Sequence, residues 1–234
     1  EMKIGIVVFP GSNCDRDIER AAEVVGSESG FIWHKDTDVG GYDAIVLPGG
    51  FAHGDYLRCG AIARFSPVMD AVAEFAQAGG PVLGICNGFQ TLLESGLLTG
   101  ATLRNTGLRF ICRPQKLRID NVNTPFTHLY SKGEVVDFPI AHAEGNFYAD
   151  TDTIKMLEDE GRVVFRYAEP DGSLTEGCNP NGSMNNIAGI TNKAGNVVGL
   201  MPHPERVVES VLGGTDGLRV FKSVMSWCGK GGVR

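Results

Sequence analysis

The sequence predicts an α/β fold: one doubly wound, mostly parallel sheet flanked by helices, in a single domain over residues 1–234. Two patterns point to it. Short apolar runs at residues 3–9, 44–47 and 82–85 alternate with segments of helical spacing. Two of those runs end in small-residue turns, at Pro48-Gly49-Gly50 and at Cys86, as expected where a ligand gathers at the carboxyl edge of a parallel sheet. Size and composition agree: 234 residues with 42% hydrophobic and 21% charged residues are enough for one sizeable core.

The first strand, 3–9, is apolar nearly throughout, as a strand covered on both faces should be. Pro10-Gly11-Ser12-Asn13 is a turn with capping candidates, and Asp15 and Asp17 sit in the first turn of a helix carrying Ile18, Ala21, Ala22 and Val25 inward. A second strand is expected at 31–34 and a third at 44–47. Ser66-Pro67 reads as a cap and first-turn proline of a helix with Val68, Val72, Phe75 and Ala76 on its inner stripe. The next strand, 82–85, runs into Cys86, and residues 89–94 then read as a helix. Residues 103–167 read as shorter strands and irregular loops. The segment 192–196 between apolar runs 187–191 and 197–201 signals a hairpin. A final helix starts near Thr215-Asp216, with Leu218, Phe221, Met225 and Cys228 on one side. No repeat, low-complexity stretch or linker divides the chain.

The net charge of -7 gives no reason to expect nucleic acid or an anionic membrane as partner. No apolar run approaches the roughly 18–20 residues of a membrane span. The strand pattern begins at Lys3, so no signal peptide is expected, and Met2 reads as the natural start with Glu1 an addition. The six cysteines are scattered without a C-x-x-C pair. A zinc site or disulfide framework is therefore not expected, most of the thiols should be small buried hydrophobes, and a reducing, cytoplasmic setting follows.

Gly84-Ile85-Cys86-Asn87-Gly88 has the layout of a nucleophile elbow with cysteine in place of serine. Flanking glycines suit a sharp turn pressed against other backbone. The sulfur would stand at the positive end of the following helix, which favours the nucleophilic thiolate. A nucleophile needs a base and an orienting group. In Pro202-His203-Pro204-Glu205 the histidine and the carboxylate are two apart, on one face of an extended segment that the prolines keep out of a helix. Cys86, His203 and Glu205 thus form a candidate catalytic triad.

With Pro48-Gly49-Gly50-Phe51, these two motifs resemble the triad-type (class I) glutamine amidotransferase family, which has a flavodoxin-like sheet. The chain resembles most closely its phosphoribosylformylglycinamidine synthase glutaminase subunits, through residues 9–15, 54–63, Leu108-Arg109-Phe110 and His142-Ala143-Glu144-Gly145. Ala52-His53 departs from that pattern, which expects a serine and an aromatic residue there. The resemblance implies hydrolysis of L-glutamine to glutamate and ammonia in de novo purine synthesis. It assigns an oxyanion hole to the backbone of Gly50 and Asn87, and glutamine binding to Gln90, Asn105, Arg109 and Phe110. His142 and Glu144 are expected at the partner interface, while Asp55, Tyr56 and Arg58 either structure the oxyanion loop or touch the partner. It implies no cofactor in this chain, with ATP and Mg on a synthetase subunit, and a small accessory subunit in the complex. Two alternatives stay open: a DJ-1-like redox or chaperone protein, and a γ-glutamyl hydrolase.

Overall fold

In the computed structural model, which describes residues 2–229, the strands are β1 (Lys3–Val8), β2 (Glu28–Trp33), β3 (Ala44–Leu47), β4 (Val82–Ile85), β5 (Ala101–Leu103), β6 (Ile111–Ile119), β7 (Val135–His142), β8 (Asn146–Tyr148), β9 (Val163–Tyr167), β10 (Ile187–Thr191) and β11 (Val197–Leu200). The helices are α1 (Asp15–Val25), α2 (Val68–Gln77), α3 (Asn87–Glu94), α4 (Thr151–Asp159) and α5 (Leu218–Gly229). The expectation about Glu1, and the last five residues of the predicted domain, lie outside the described residues.

Nine strands form one sheet in the order β2-β1-β3-β4-β11-β10-β9-β6-β7. From β2 to β11 the pairings are parallel, and from β11 to β7 they are antiparallel. The parallel half is the expected doubly wound sheet, with the 2-1-3-4-5 order of flavodoxin-like proteins. Its central strands β3, β4 and β11 are buried along their whole length. Leu47 lies opposite Gly84, and Leu200 opposite Ile85, so these three strands end nearly in step. The predicted hairpin is β10 and β11.

The middle of the chain departs from expectation. β6 and β7 are long strands paired over most of their length, and α4 is a regular helix whose N-cap, Asp150, accepts from the Thr153 N–H at 2.8 Å. Pro114 and Pro139 lie inside these strands and face each other across the β6–β7 ladder. Facing prolines leave no unmatched donor on either side, which is how the ladder absorbs them. β7 keeps strict alternation, with Val136, Phe138, Ile140 and His142 inward.

Smaller corrections follow from side chains that bond elsewhere. The second strand begins at Glu28 rather than Phe31. At α1 the cap position is Cys14, with no side-chain cap, because the Ser12 hydroxyl instead accepts from the Phe9 N–H at 3.1 Å. Ser66 does not cap α2 either; its hydroxyl lies 3.2 Å from His34 Nδ1 and 3.4 Å from His53 Nε2. Helix α5 starts at Leu218 and buries Val220, Phe221 and Val224, leaving Leu218 and Cys228 at the margin of the core and Met225 half-buried.

Candidate active site

The carboxyl ends of β1, β3, β4 and β11 deliver four segments to one edge: residues 9–14, Gly49-Gly50, Cys86 and residues 201–205. Cys86 is a turn residue between β4 and α3 with φ 50° and ψ -107°. A non-glycine residue is strained there by about 1–3 kcal/mol, a cost typically found where a side chain must be aimed. The flanking glycines are forced by contact. A Cβ on Gly88 would stand 2.0 Å from the Leu47 carbonyl oxygen, and one on Gly84 would stand 2.8 Å from the Gly88 backbone. The Cys86 N–H donates to the Leu200 carbonyl at 2.8 Å, tying the elbow to β11. Its sulfur is buried and lies 3.7 Å from the Ala141 carbonyl at the end of β7.

His203 and Glu205 are each 1% exposed, and His203 Nδ1 lies 2.6 Å from Glu205 Oε1. The His203 N–H donates to the Pro139 carbonyl at 2.8 Å. The expected extended segment is a short 3₁₀ turn, Pro204–Arg206. Proline fits the first position of such a turn, so it starts the turn instead of preventing it. The carboxylate still folds back onto the imidazole. Burial works against a charge on His203, but Glu205 and then Cys86 raise its pKa well above the ordinary imidazole value. The position a Cβ on Gly49 would occupy shows how these groups converge. His203 Cε1 is 2.8 Å from it, Cys14 Sγ 3.2 Å and Cys86 Cβ 3.4 Å.

Asn87 opens α3, so its N–H lacks an intrahelical acceptor and points to the elbow end of the helix. Its side chain accepts from the Ala52 N–H at 2.9 Å and donates to Asp55 at 3.0 Å and Gln90 at 3.1 Å. These bonds hold the 49–55 loop over the elbow. Gly50 has φ 144°, and a Cβ there would meet the 11–13 backbone at 2.8 Å. Burial raises the Asp55 carboxyl and, with Asp55 and Glu144 nearby, drives the Cys59 thiol far up.

The residues assigned to glutamine divide into two groups. Gln90 is buried, and its Nε2 donates to the Glu144 carbonyl at 2.6 Å. Asn105 is fully buried: Nδ2 donates to the Arg109 and His142 carbonyls, and Oδ1 takes the Gly145 N–H at 3.0 Å and faces His142 Nδ1 at 3.2 Å. Every polar atom of the Asn105 side chain is thus engaged within the chain. Arg109 and Phe110 are exposed on the adjoining loop. His142 is 3% exposed, which corrects its placement at a partner surface. Alternation along β7 turns it inward, where burial and then the His203 charge lower its pKa to about 4. Glu144 sits at the rim, 3.6 Å from Arg104. Of the oxyanion-loop residues, Asp55 is tied to Asn87, whereas Arg58 pairs with Glu94 and Tyr56 is exposed.

Cys14 was not expected at the site. It is buried beside His203, and Arg206 Nη2 lies 3.0 Å from its sulfur. The available signal was its place in the turn closing β1, at the edge where the other motifs meet.

The fold and this edge place the molecule among α/β glutamine amidotransferase domains: the CobB/CobQ-like glutamine amidotransferase domain profile matches residues 1–228, and the chain belongs to that family. Its likeness is finer than the family. It is 56% identical over 231 residues to the phosphoribosylformylglycinamidine synthase subunit PurQ of Moorella thermoacetica, covering 98% of both chains. To the subunit of the same name in Chlorobaculum parvum it is 58% identical over 227 residues, 97% of this chain and 90% of that one. Among solved structures, PurLQS from Thermotoga maritima contains a chain superposing with TM-score 0.87 at 43% identity, covering 97% of this chain and 99% of that one. The glutaminase domain of Trypanosoma brucei CTPS, solved with acivicin, shares the fold at TM-score 0.62 and 14% identity, covering 98% and 94%.

Proposed function

We propose that this chain is the glutaminase subunit of a phosphoribosylformylglycinamidine synthase, hydrolysing L-glutamine and passing the ammonia to a synthetase subunit for de novo purine synthesis. The buried Cys86–His203–Glu205 convergence at the carboxyl edge carries the chemistry, and full-length identity above 50% to PurQ subunits carries the substrate pathway.

The Cys86 thiolate attacks the glutamine carboxamide carbon. Negative charge gathers on the amide oxygen, and the N–H groups of Gly50 and Asn87 receive it. His203, held by Glu205, gives its proton to the departing nitrogen, and ammonia leaves a glutamyl thioester on Cys86. His203 then takes a proton from water, which attacks the thioester; glutamate departs and the thiolate is restored. Gln90 and Asn105 set the shape of the wall, and Arg109 offers a guanidinium to the substrate α-carboxylate. No cofactor is needed for these steps; ATP and Mg belong to the synthetase.

The rim around the site carries Phe51, Tyr56, Leu57, Leu108 and Phe110, all more than half exposed. Such apolar exposure suits a docking face for the synthetase, with Glu144 at its edge and an accessory subunit completing the assembly. Free thiols and the lack of any described helix long and apolar enough to cross a membrane fit a cytoplasmic enzyme. The test is co-purification with a candidate synthetase followed by glutamine-dependent amidine formation. Ammonia-dependent formation that glutamine never replaces would defeat the assignment. Identity above 50% over nearly the whole chain to PurQ subunits favours this reading over the DJ-1-like and γ-glutamyl hydrolase alternatives.

A further inference from the structure

The loop that covers the elbow is strained. His53 has φ 53° and ψ 27°, and Asp55 and Leu57 have φ 52° and 71°, all in the left-handed region that residues other than glycine seldom adopt. Such backbone persists only where its surroundings over-determine it. Three of the braces start from backbone N–H groups. Phe51 donates to the Gly11 carbonyl at 2.9 Å, His53 to the Pro10 carbonyl at 2.6 Å, and Ala52 to the Asn87 side chain at 2.9 Å. The fourth brace is a side chain: His53 Nε2 lies 3.4 Å from the Ser66 hydroxyl, which in turn lies 3.2 Å from His34 Nδ1. We infer that His53 is a positioning residue for the amide hydrolysis: through Ser66 it braces the 49–55 loop against His34, and so holds the Gly50 N–H where the oxyanion forms.

A hydroxyl carries one proton and two lone pairs, so Ser66 can donate to one imidazole while it accepts from the other. The base of this bridge is fixed. His34 follows β2, its N–H donates to the Val8 carbonyl at 3.0 Å, and its carbonyl accepts from the Val68 N–H at 3.2 Å. Ser66 is buried, and its carbonyl accepts from the Met69 N–H at 2.9 Å in the first turn of α2. The two imidazoles meet edge to face with centroids 5.1 Å apart, and buried Phe9 lies beside both, at 6.4 Å from His34 and 6.2 Å from His53. Apolar packing of this kind limits the competition from water and strengthens the bridge. Ala52-His53 is also the place where the sequence departs from the family pattern. A hydrocarbon ring at 53 would fill the same space but could not bond to Ser66.

The inference rests on the glutaminase reading and assigns that reaction a further residue. The bridge itself is read without turnover, from imidazole nitrogen NMR of the full chain, which has five histidines. Ser66→Ala should move the His34 and His53 signals and leave those of His128, His142 and His203 in place. In the complex, His53→Phe should lower kcat and kcat/KM for glutamine together, by between about tenfold and the roughly hundredfold that losing an oxyanion donor costs, with KM and ammonia-dependent synthesis unchanged. His53→Gln, whose amide can reach the hydroxyl, should recover most of the rate. Ser66→Ala should lose as much as His53→Phe, and the double variant no more than either single one. A His53 signal unmoved by Ser66→Ala, a parental kcat in His53→Phe, a change confined to KM, no recovery in His53→Gln, or additive losses would overturn the inference. A parent complex that never uses glutamine would instead defeat the glutaminase reading, and the role given to His53 with it, even with the bridge intact in the spectra.

Discussion

Replacing Gly88 by alanine sets two opposed effects against each other. Gly88 lies in the first turn of α3, where glycine to alanine normally gains about 1 kcal/mol of helix stability. Here the added carbon would stand 2.0 Å from the Leu47 carbonyl oxygen, 2.6 Å from its carbon and 2.9 Å from its Cβ. Carbon and carbonyl oxygen tolerate about 3.3 Å, so α3 and β3 must separate by about 1.3 Å. Both are backbone in central elements, with no flexible side chain to yield. Overpacking of this kind costs about 1–3 kcal/mol or more, and rigid surroundings argue for the upper end. The clash wins, with a net loss of about 2 kcal/mol. For a chain of this size that lowers the melting temperature by about 4–8 °C. Activity should suffer more. Leu47 leads into Gly49-Gly50, and a displacement of about 1 Å between oxyanion donors and nucleophile costs about a hundredfold in rate. Thermal and urea unfolding measure the first effect, and glutamine-dependent synthesis by the complex the second. A Gly88→Ala chain within about 0.5 kcal/mol of the parent, turning over at the parental rate, would refute the claim that glycine is demanded by contact.

Cys86→Ala should abolish glutamine-dependent synthesis while leaving the ammonia-dependent reaction intact; ammonia still released from glutamine would show another nucleophile. Glu205→Gln replaces a charge-assisted hydrogen bond by a neutral one, a loss of about 1–2 kcal/mol and thus about fivefold to thirtyfold in turnover; an unchanged rate would mean that another group orients His203. His142, lowered from 6.5 to about 4 mainly by burial, takes up a proton in the unfolded chain before the folded one does. Its contribution is complete above about 6.5 and is lost as pH falls toward 4, by about 3 kcal/mol. His203, with a raised pKa, acts oppositely, its stabilisation being lost only as pH rises through that higher value. His142→Gln should therefore flatten the acid limb of a pH series of urea unfolding, and a parallel limb would contradict the buried neutral imidazole. Finally, the isolated chain should be a poor glutaminase that its synthetase stimulates, and full turnover alone would argue against that coupling.

The parallel half of the sheet was legible because its signals are local. An apolar run ending in small residues marks a buried strand and its functional end within a few positions, and this located Gly50 and Cys86. His203 and Glu205 were legible as a pair because two residues with complementary chemistry lay two positions apart, even though the backbone joining them is a 3₁₀ turn. The β6–β7 ladder was obscured because its two prolines are harmless only when they face each other. That register is a relation between residues 114 and 139 that no local window contains.

The burial of two polar side chains at the site was hidden for a reason of the same kind. Asn105 and His142 are polar residues in segments that look like loops, and polarity in a loop ordinarily means solvent. Their bonds run between segments 36 to 54 residues apart: Asn105 to the 142–145 turn, and that turn to Asn181 and Gln90. A polar residue that satisfies buried backbone at long range has the same composition signature as one that meets water. Cys14 is the sharpest instance. As a lone thiol in a turn it is indistinguishable from the other scattered cysteines. It comes beside the imidazole only because β1 and β11 both end at the edge where Gly49 has no side chain to hold Cys14 and His203 apart. The strand order of the parallel half therefore determines which cysteine neighbours the imidazole. Were Gly49 any larger residue, its Cβ would stand 2.8 Å from His203 Cε1 and 3.2 Å from Cys14 Sγ, and the two would be forced apart.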